Sequence, residues 1–498
     1  MSSSTLDKTP SQSASISTLI PARIDRLPWS RFHTRVVASL GVAWVLDGLE
    51  ITFASNMTTN LSDKASLGLS SRAASDIASV YLVGEVVGAL VFGRLSDRLG
   101  RKNLFVITLG LYLLANGLAA ASWGLYSIDV FRFFAGMGIG GEYAAINSAI
   151  DELIPSKHRG RVDILVNGTY WGGAALAAFA GVWLLNPADV PIDWGWRIAL
   201  LIGPALGAVV WYVRRTLPES PRWLITHGRE KEAEAAVKEI EDWVASTGHD
   251  LSDVDDSKAI EIDPSKSSPS LWTVTRTLVA TYPKRTVLGA VLMITQSFLY
   301  NAIFFTYAQV LTTFFHVGAG DTSYYYIAFA VGNLLGPVAL GPLFDSLGRR
   351  VMISGTYLVA AVLLAVTAVA FDHGLLSAGT QTLCWCVIFF LASAGASSAY
   401  LTVSEIFPME LRAQAIAVFF SVAQGFGALG PAVYGGFVAT GKPHDLMLGY
   451  LLGAGVMAVG GLTELFLGVN AERTSLEDVV NPLTVVGKPS GGVSAATA

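Results

Sequence analysis

The sequence predicts an all-α membrane protein of twelve transmembrane helices, arranged as two related six-helix halves. Three observations predict it. Of 498 residues, 52% are hydrophobic and only 14% charged, against about 25% charged in ordinary soluble domains, so the bilayer is the expected solvent. Twelve apolar stretches are each about long enough to cross it. And one pattern is written twice: Gly93-Arg-Leu-Ser-Asp97-Arg-Leu-Gly100-Arg101-Lys102 recurs 248 positions on as Gly341-Pro-Leu-Phe-Asp345-Ser-Leu-Gly348-Arg349-Arg350. A second pattern, Glu152-x-x-Pro155-x-x-x-Arg159, recurs in the same order as Glu405-x-x-Pro408-x-x-x-Arg412. Two patterns repeated at nearly one offset indicate internal duplication.

Taken in order, residues 1–20 are rich in Ser and Thr with one lysine and lack the apolar core of a cleavable signal peptide. They are expected to be unstructured. A short basic, partly amphipathic lead-in, IPARIDRLPWSRFHTR, follows and is expected at the inner membrane surface, so 1–35 reads as a cytoplasmic segment. The first half, 36–213, holds spans at 36–58, 75–95, 103–123, 125–149, 162–185 and 194–213. A linker, 214–285, comes next. Its REKEAEAAVKEIEDWVAS stretch has helix-forming composition with Glu/Lys neighbours at helical spacing, while LSDVDDSKAIEIDPSKSSPS is polar and acidic and reads as disordered. The second half, 286–470, holds spans at 286–312, 322–344, 351–371, 380–404, 413–439 and 445–470, and 471–498 reads as an unstructured cytoplasmic tail.

Orientation follows from the basic residues. With the amino terminus inside, 28 of the 33 Lys and Arg fall on the inner side and three, Lys64, Arg72 and Lys442, on the outer. Both termini are therefore expected in the cytoplasm, in a plasma or inner cell membrane. The net charge of −5 gives no sign of nucleic-acid binding. Cys384 and Cys386, one residue apart in an apolar run, suit neither a disulfide nor a tetrahedral metal site. No metal is expected.

The repeated Gly-x-x-x-Asp-x-x-Gly-Arg-Arg/Lys pattern resembles the signature loop of the major facilitator superfamily. Pro218-Glu-Ser-Pro221-Arg222-Trp223-Leu after the sixth span, with both Glu-x-x-Pro-x-x-x-Arg elements, narrows the resemblance to sugar porters, organic-ion transporters and related metabolite/proton symporters. It covers about 30–475. It implies the two-half fold of that superfamily, secondary active transport without enzymatic activity or a cofactor, and a cytoplasmic gate in which Arg101 pairs with Glu152 and Arg349 with Glu405. Asp97 and Asp345 would brace the adjoining helix ends, and Arg159 and Arg412 belong to the same cytoplasmic gate. Physically, opposite charges drawn from both halves can hold the inner face shut; anchoring of helices at a wet surface is the plainer alternative.

Charges inside a membrane are expensive and usually functional. Asp47 and Glu50 are three apart and share a helix face. Counting at 1.5 Å per residue along oppositely running spans puts Glu50 and Arg132 at similar depth. An acid and a guanidinium there can pair, and protonating the acid releases the pair, which is chemistry suited to proton coupling. A structural ion pair is the alternative. Gly48-Leu49-Glu50 resembles the coupling carboxylate site of proton-coupled sugar porters, and Asp47-Gly-x-Glu50 that of aromatic-acid/proton symporters. No histidine lies at a span centre, so a carboxylate is the expected proton carrier. Glu85 and Glu142 are further intramembrane acids, suited equally to cavity or packing roles.

Polar and aromatic side chains near span centres are the candidate substrate contacts: Asn167, Tyr170, Trp171, Gln296, Tyr300, Asn301, Asn333 and Tyr400. Each could equally serve helix packing. The chain departs from sugar porters here. Thr295, Gln296, Asn301, Phe305 and Thr306 stand where those proteins carry Gln-Gln, Asn and a Tyr pair. Asn167 replaces a usual Gln, and the tenth span lacks the Gly-Pro-x-x-Trp of a hexose site. The leading reading is a monomeric proton-coupled symporter importing a small organic or aromatic acid, its partners being that substrate, protons and the lipid bilayer. A sugar or polyol symporter comes second, a proton-coupled drug or organic-ion exporter third, and a non-transporting sensor last.

Overall fold

The computed structural model describes residues 16–214, 219–248, 250–262, 271–318, 321–407 and 409–469. Helices dominate because each apolar stretch can satisfy its backbone polar groups internally, the only way an isolated segment can cross lipid. The first half contributes Arg31–Asn56, Ser71–Leu99, Arg101–Ala120, Leu125–Leu153, Ser156–Leu184 and Ile192–Arg214. The second contributes Pro283–Phe315, Thr322–Ser346, Arg349–Asp372, Ala378–Ile406, Met409–Gly427 continued as Leu429–Ala439, and Pro443–Leu467. These are called the first to twelfth helices below. Ten are long and apolar enough to span a membrane by length and composition among the described residues. The fourth and the fifth are not among the ten. The fourth carries Asp129, Arg132 and Glu142 within one membrane-spanning length.

The distribution of side chains is that of a membrane protein. Leu114, Leu165, Val338 and Val362 are all more than half exposed on the outside of the bundle, while Asp47, Glu50, Glu85 and Arg132 are buried inside it. Small residues let the helices approach closely. A Cβ on Gly84 or Gly88 of the second helix would strike the backbone of Phe133 or Met137, and one on Gly136 or Gly140 of the fourth would strike that of Tyr81 or Glu85.

The duplicated pattern acquires a local meaning at the turns. Gly100 and Gly348 sit immediately before the third and ninth helices at φ 85° and 96°, a region that side chains with a Cβ avoid. The eleventh helix, expected as one continuous span, is interrupted at Ala428. Pro431 there has no N–H to give the carbonyl of Gly427.

Two segments expected to lack structure are partly ordered. Strand β1, Ile16–Thr18, pairs antiparallel with strand β2, Ile260–Ile262, inside the linker stretch read as disordered. A short helix, Ile20–Asp25, follows β1 and buries Ile20 and Ile24. The linker helix Glu230–Ser246 buries Ala233, Val237, Ile240 and Val244, a stripe at helical spacing. Arg23 bonds Glu241 at 3.0 and 2.6 Å and Glu234 at 2.5 Å, and Arg26 bonds Glu241 at 2.6 Å. Arg35 and Phe32, at the start of the first helix, lie against Trp243. Local propensity did not reveal this because the order comes from pairing across more than 200 residues.

Candidate functional site

Glu50 and Arg132 are both fully buried, and Arg132 Nη1 donates to Glu50 Oε1. The first helix supplies the acid and the fourth the guanidinium. The same nitrogen reaches Asn116 Oδ1 on the third helix at 3.3 Å. The Arg132 guanidinium also lies 4.3 Å from the Tyr81 ring centroid, a cation–π contact from the second helix. Tyr112 donates to the second Glu50 oxygen at 3.5 Å. Arg132 Nε and Nη2 have no hydrogen-bond partner among the described residues. The site is thus an ion pair away from water, in which the guanidinium keeps donors unspent. Its fork can engage a second carboxylate.

Asp47, three residues earlier, is also buried but has different partners. Tyr81 donates to Oδ1 at 3.1 Å and Tyr143 to Oδ2. A crevice of about 10 Å³, room for about one water-sized sphere, lined by Trp44, Asp47, Glu142 and Tyr143 adjoins it. That is smaller than the roughly 300–1,000 Å³ of ordinary ligand sites. The shared helix face expected for Asp47 and Glu50 therefore divides into a tyrosine-held acid and an arginine-held acid.

The two halves meet around these residues. Gln424 of the eleventh helix donates from Nε2 to Glu85 Oε2 on the second and accepts from Ser297 of the seventh. Asn301 Nδ2 also reaches Gln424, at 3.4 Å. One turn away, Tyr300 packs against Trp171 of the fifth helix with centroids 5.7 Å apart, and Phe304 and Phe329 complete the group at 6.0 and 6.2 Å from Trp171. Tyr300 donates to Asn333 Oδ1 at 3.2 Å. At the end of the bundle away from the linker, Ser55 and Tyr326 bond each other at 2.5 Å and both reach the carbonyl of Phe304, at 3.1 and 2.8 Å.

Of the candidate cavity residues, Trp171, Tyr300, Asn301 and Asn333 therefore lie together at the interface of the halves. Tyr170 packs edge-on to Trp171 and Trp44 at 4.9 and 6.4 Å. Asn167 is buried on the fifth helix, and its Nδ2 has no hydrogen-bond partner among the described residues. Gln296 Oε1 is in the same condition on the seventh. Tyr400 is half-buried on the tenth. At the linker end, Glu152 lies near the end of the fourth helix and Arg349 is buried at the start of the ninth. The side chains of Asp97, Arg101, Arg159, Asp345, Glu405 and Arg412 lie outside the described residues. Tyr81, Tyr112, Tyr143 and Gln424 were missed by sequence reasoning. Their hydroxyl and amide groups inside apolar spans were the available signal.

Comparison with known proteins agrees with this architecture. The sugar (and other) transporter family profile matches residues 36–479. The niacin transporter NiaP of Acinetobacter baylyi is 34% identical over 221 residues, 44% of this chain and 48% of that protein. The putative metabolite transport protein YyaJ of Bacillus subtilis is 34% identical over 229 residues, 45% of this chain and 48% of that one. The matched segments thus span about half the length of these relatives. Among solved structures, the proton:xylose symporter XylE bound to 6-bromo-6-deoxy-D-glucose superposes with a TM-score of 0.70 at 18% identity, covering 90% of this chain and 98% of that one. The inward-open form of XylE from E. coli gives 0.65 at 19% identity, over 90% and 98% of the two chains. At such identities the likeness speaks for the fold. The profile match, reaching from the first helix past the twelfth, shows that this multi-pass membrane protein belongs to the sugar (and other) transporter family.

Proposed function

We propose that the protein is a proton-coupled symporter that imports a small organic or aromatic acid by alternating access. The observation that carries this reading is Arg132: fully buried, paired with Glu50, and still holding two unspent nitrogen donors. A substrate carboxylate taking those donors competes with Glu50 for the guanidinium, and proton uptake by Glu50 relieves the competition. The rings of Trp171, Tyr300 and Phe329 offer faces for a flat substrate. The similarity to the niacin transporter NiaP makes nicotinate, an aromatic acid, the first compound to try. In this reading residues 36–213 and 286–470 rock against each other across the linker 214–285, with 1–35 and 471–498 in the cytoplasm, and the protein works as a monomer in the cell membrane. The gate pairs Arg101–Glu152 and Arg349–Glu405 close the inner face when the cavity faces outward.

The test is uptake of labelled nicotinate into vesicles reconstituted with the purified protein, with and without an inward proton gradient. Gradient-dependent accumulation supports the reading, and uptake indifferent to the gradient contradicts it. A sugar or polyol symporter is the second reading, favoured by the amides of Asn301, Asn333 and Gln424 at the interface of the halves. Competition by xylose or glucose, but not by benzoate, would favour it over the first.

A further inference from the structure

Glu50, Asp47 and Glu85 are buried acids of the first half, and each is held differently. Glu50 has Arg132. Asp47 has the hydroxyls of Tyr81 and Tyr143. All of those partners belong to the same half, so a rigid-body rocking of the halves leaves them in place. Glu85 differs: the group that holds it, Gln424, comes from the opposite half. Gln424 is itself fixed by Ser297 and Asn301 of the seventh helix. The other Glu85 oxygen, Oε1, has no hydrogen-bond partner among the described residues.

The groups facing Glu85 are Tyr81 one turn back on its own helix, Asp47 from the first, Arg132 and Tyr143 from the fourth, and Tyr170 from the fifth. From the eleventh and seventh, among the described residues, come the uncharged Gln424, Ser297 and Asn301. The cation in this set, Arg132, bonds Glu50 rather than Glu85. A second carboxylate charge beside Asp47, with the nearby Arg132 already bonded to Glu50, is costly in lipid, whereas a neutral carboxyl can accept the Gln424 amide without that cost.

We propose that Glu85 is a second proton-carrying carboxyl, and that Gln424 makes its proton exchange depend on the separation of the two halves. The inference rests on the proton-coupled reading above and deepens it. With the halves together, Glu85 holds its proton on Oε1 and accepts from Gln424 on Oε2. When they part, Gln424 withdraws with the second half and water enters. The proton passes from Glu85 Oε1 to that water, leaving a hydrated carboxylate that must be reprotonated before the halves close. Glu50 answers to substrate through Arg132, and Glu85 answers to conformation through Gln424.

Two measurements test this. The first needs no substrate. The infrared absorption of protonated carboxyl groups in purified protein is compared for wild type, Glu85→Gln and Gln424→Leu at neutral pH. A band lost in Glu85→Gln and shifted in Gln424→Leu is expected. An unchanged carboxyl region in Glu85→Gln, or a band indifferent to Gln424→Leu, overturns the proposal. The second is the accumulation ratio of nicotinate across vesicles at a one-unit pH difference and zero potential. Each coupled proton contributes a factor of about 10, so wild type is expected to reach about 100-fold and Glu85→Gln about 10-fold. Equal ratios in the two proteins also overturn the proposal. If wild type accumulates no nicotinate, the substrate reading has failed, and the infrared comparison alone decides the role of Glu85.

Discussion

Arg132 of the fourth helix and Glu50 of the first form a fully buried ion pair across the core of one half. Removing one partner of such a pair strands the other as an unpaired charge, typically costing about 3–5 kcal/mol. Variants that keep hydrogen-bonding capacity are therefore the informative ones.

Arg132→Lys is expected to keep the protein folded but weaken binding of an acid substrate about tenfold or more. Lysine supplies a point charge to Glu50 without the planar fork whose Nε and Nη2 are unspent here. Nicotinate affinity by calorimetry, with the melting temperature as control, checks this.

Tyr143→Phe removes one of two hydroxyls that hold Asp47. A buried acceptor that loses a donor costs about 1–3 kcal/mol, so a lower thermal midpoint is expected. Contacting groups couple, and the loss should shrink when Asp47→Asn is already present. Strict additivity in a double-mutant cycle would show that the hydroxyl acts elsewhere.

Arg101→Ala and Glu152→Ala are each expected to shift the protein toward inward-open states and reduce transport at near-normal expression. Labelling of cysteines introduced on the inner side should rise in both variants. Unchanged labelling leaves these charges as helix anchors.

The docking of Ile20–Asp25 on the linker helix has a calculable pH sign. Burial works against charge on Glu241, yet the bonds from Arg23 and Arg26 outweigh it and hold its carboxyl below the ordinary range. A lowered folded value means the contribution is complete above the unfolded value of about 4.3 and lost as pH falls through the folded one. Protection of the amides in residues 20–25, taken relative to the intrinsic exchange rate at each pH, should therefore hold at neutral pH and fall only in acid. Glu241→Gln should bring that loss of protection to neutral pH.

The readable parts of the sequence were those in which one helix carries its own ruler. Counting residues from the span ends put Glu50 and Arg132 at one depth, and the duplicated Gly-Arg turns marked where helices begin. What escaped was information shared between distant segments. Buried spans are apolar on all sides, so nothing in the second or fourth helix says that Tyr81 and Tyr143 look toward Asp47. The Glu85–Gln424 contact joins positions 339 residues apart. Strand β1 has three residues, too few for a periodic signal, and exists because β2 pairs with it.

The central claim is that Glu50 carries the coupled proton. Glu50→Gln keeps the side-chain shape and an acceptor for Arg132 while removing the exchangeable proton. It should cut uphill accumulation to what the Glu85 proton alone can drive, about 10-fold at a one-unit pH difference, yet preserve substrate binding and some counterflow exchange, with Asp47→Asn milder in both. The most direct measurement is substrate-induced proton uptake by reconstituted vesicles, recorded with a pH-sensitive dye in wild type and Glu50→Gln. The account predicts proton uptake in step with substrate in wild type and a lower proton-to-substrate ratio in Glu50→Gln. Uptake by Glu50→Gln at the wild-type proton-to-substrate ratio would contradict it and transfer the role to Asp47 or Glu85.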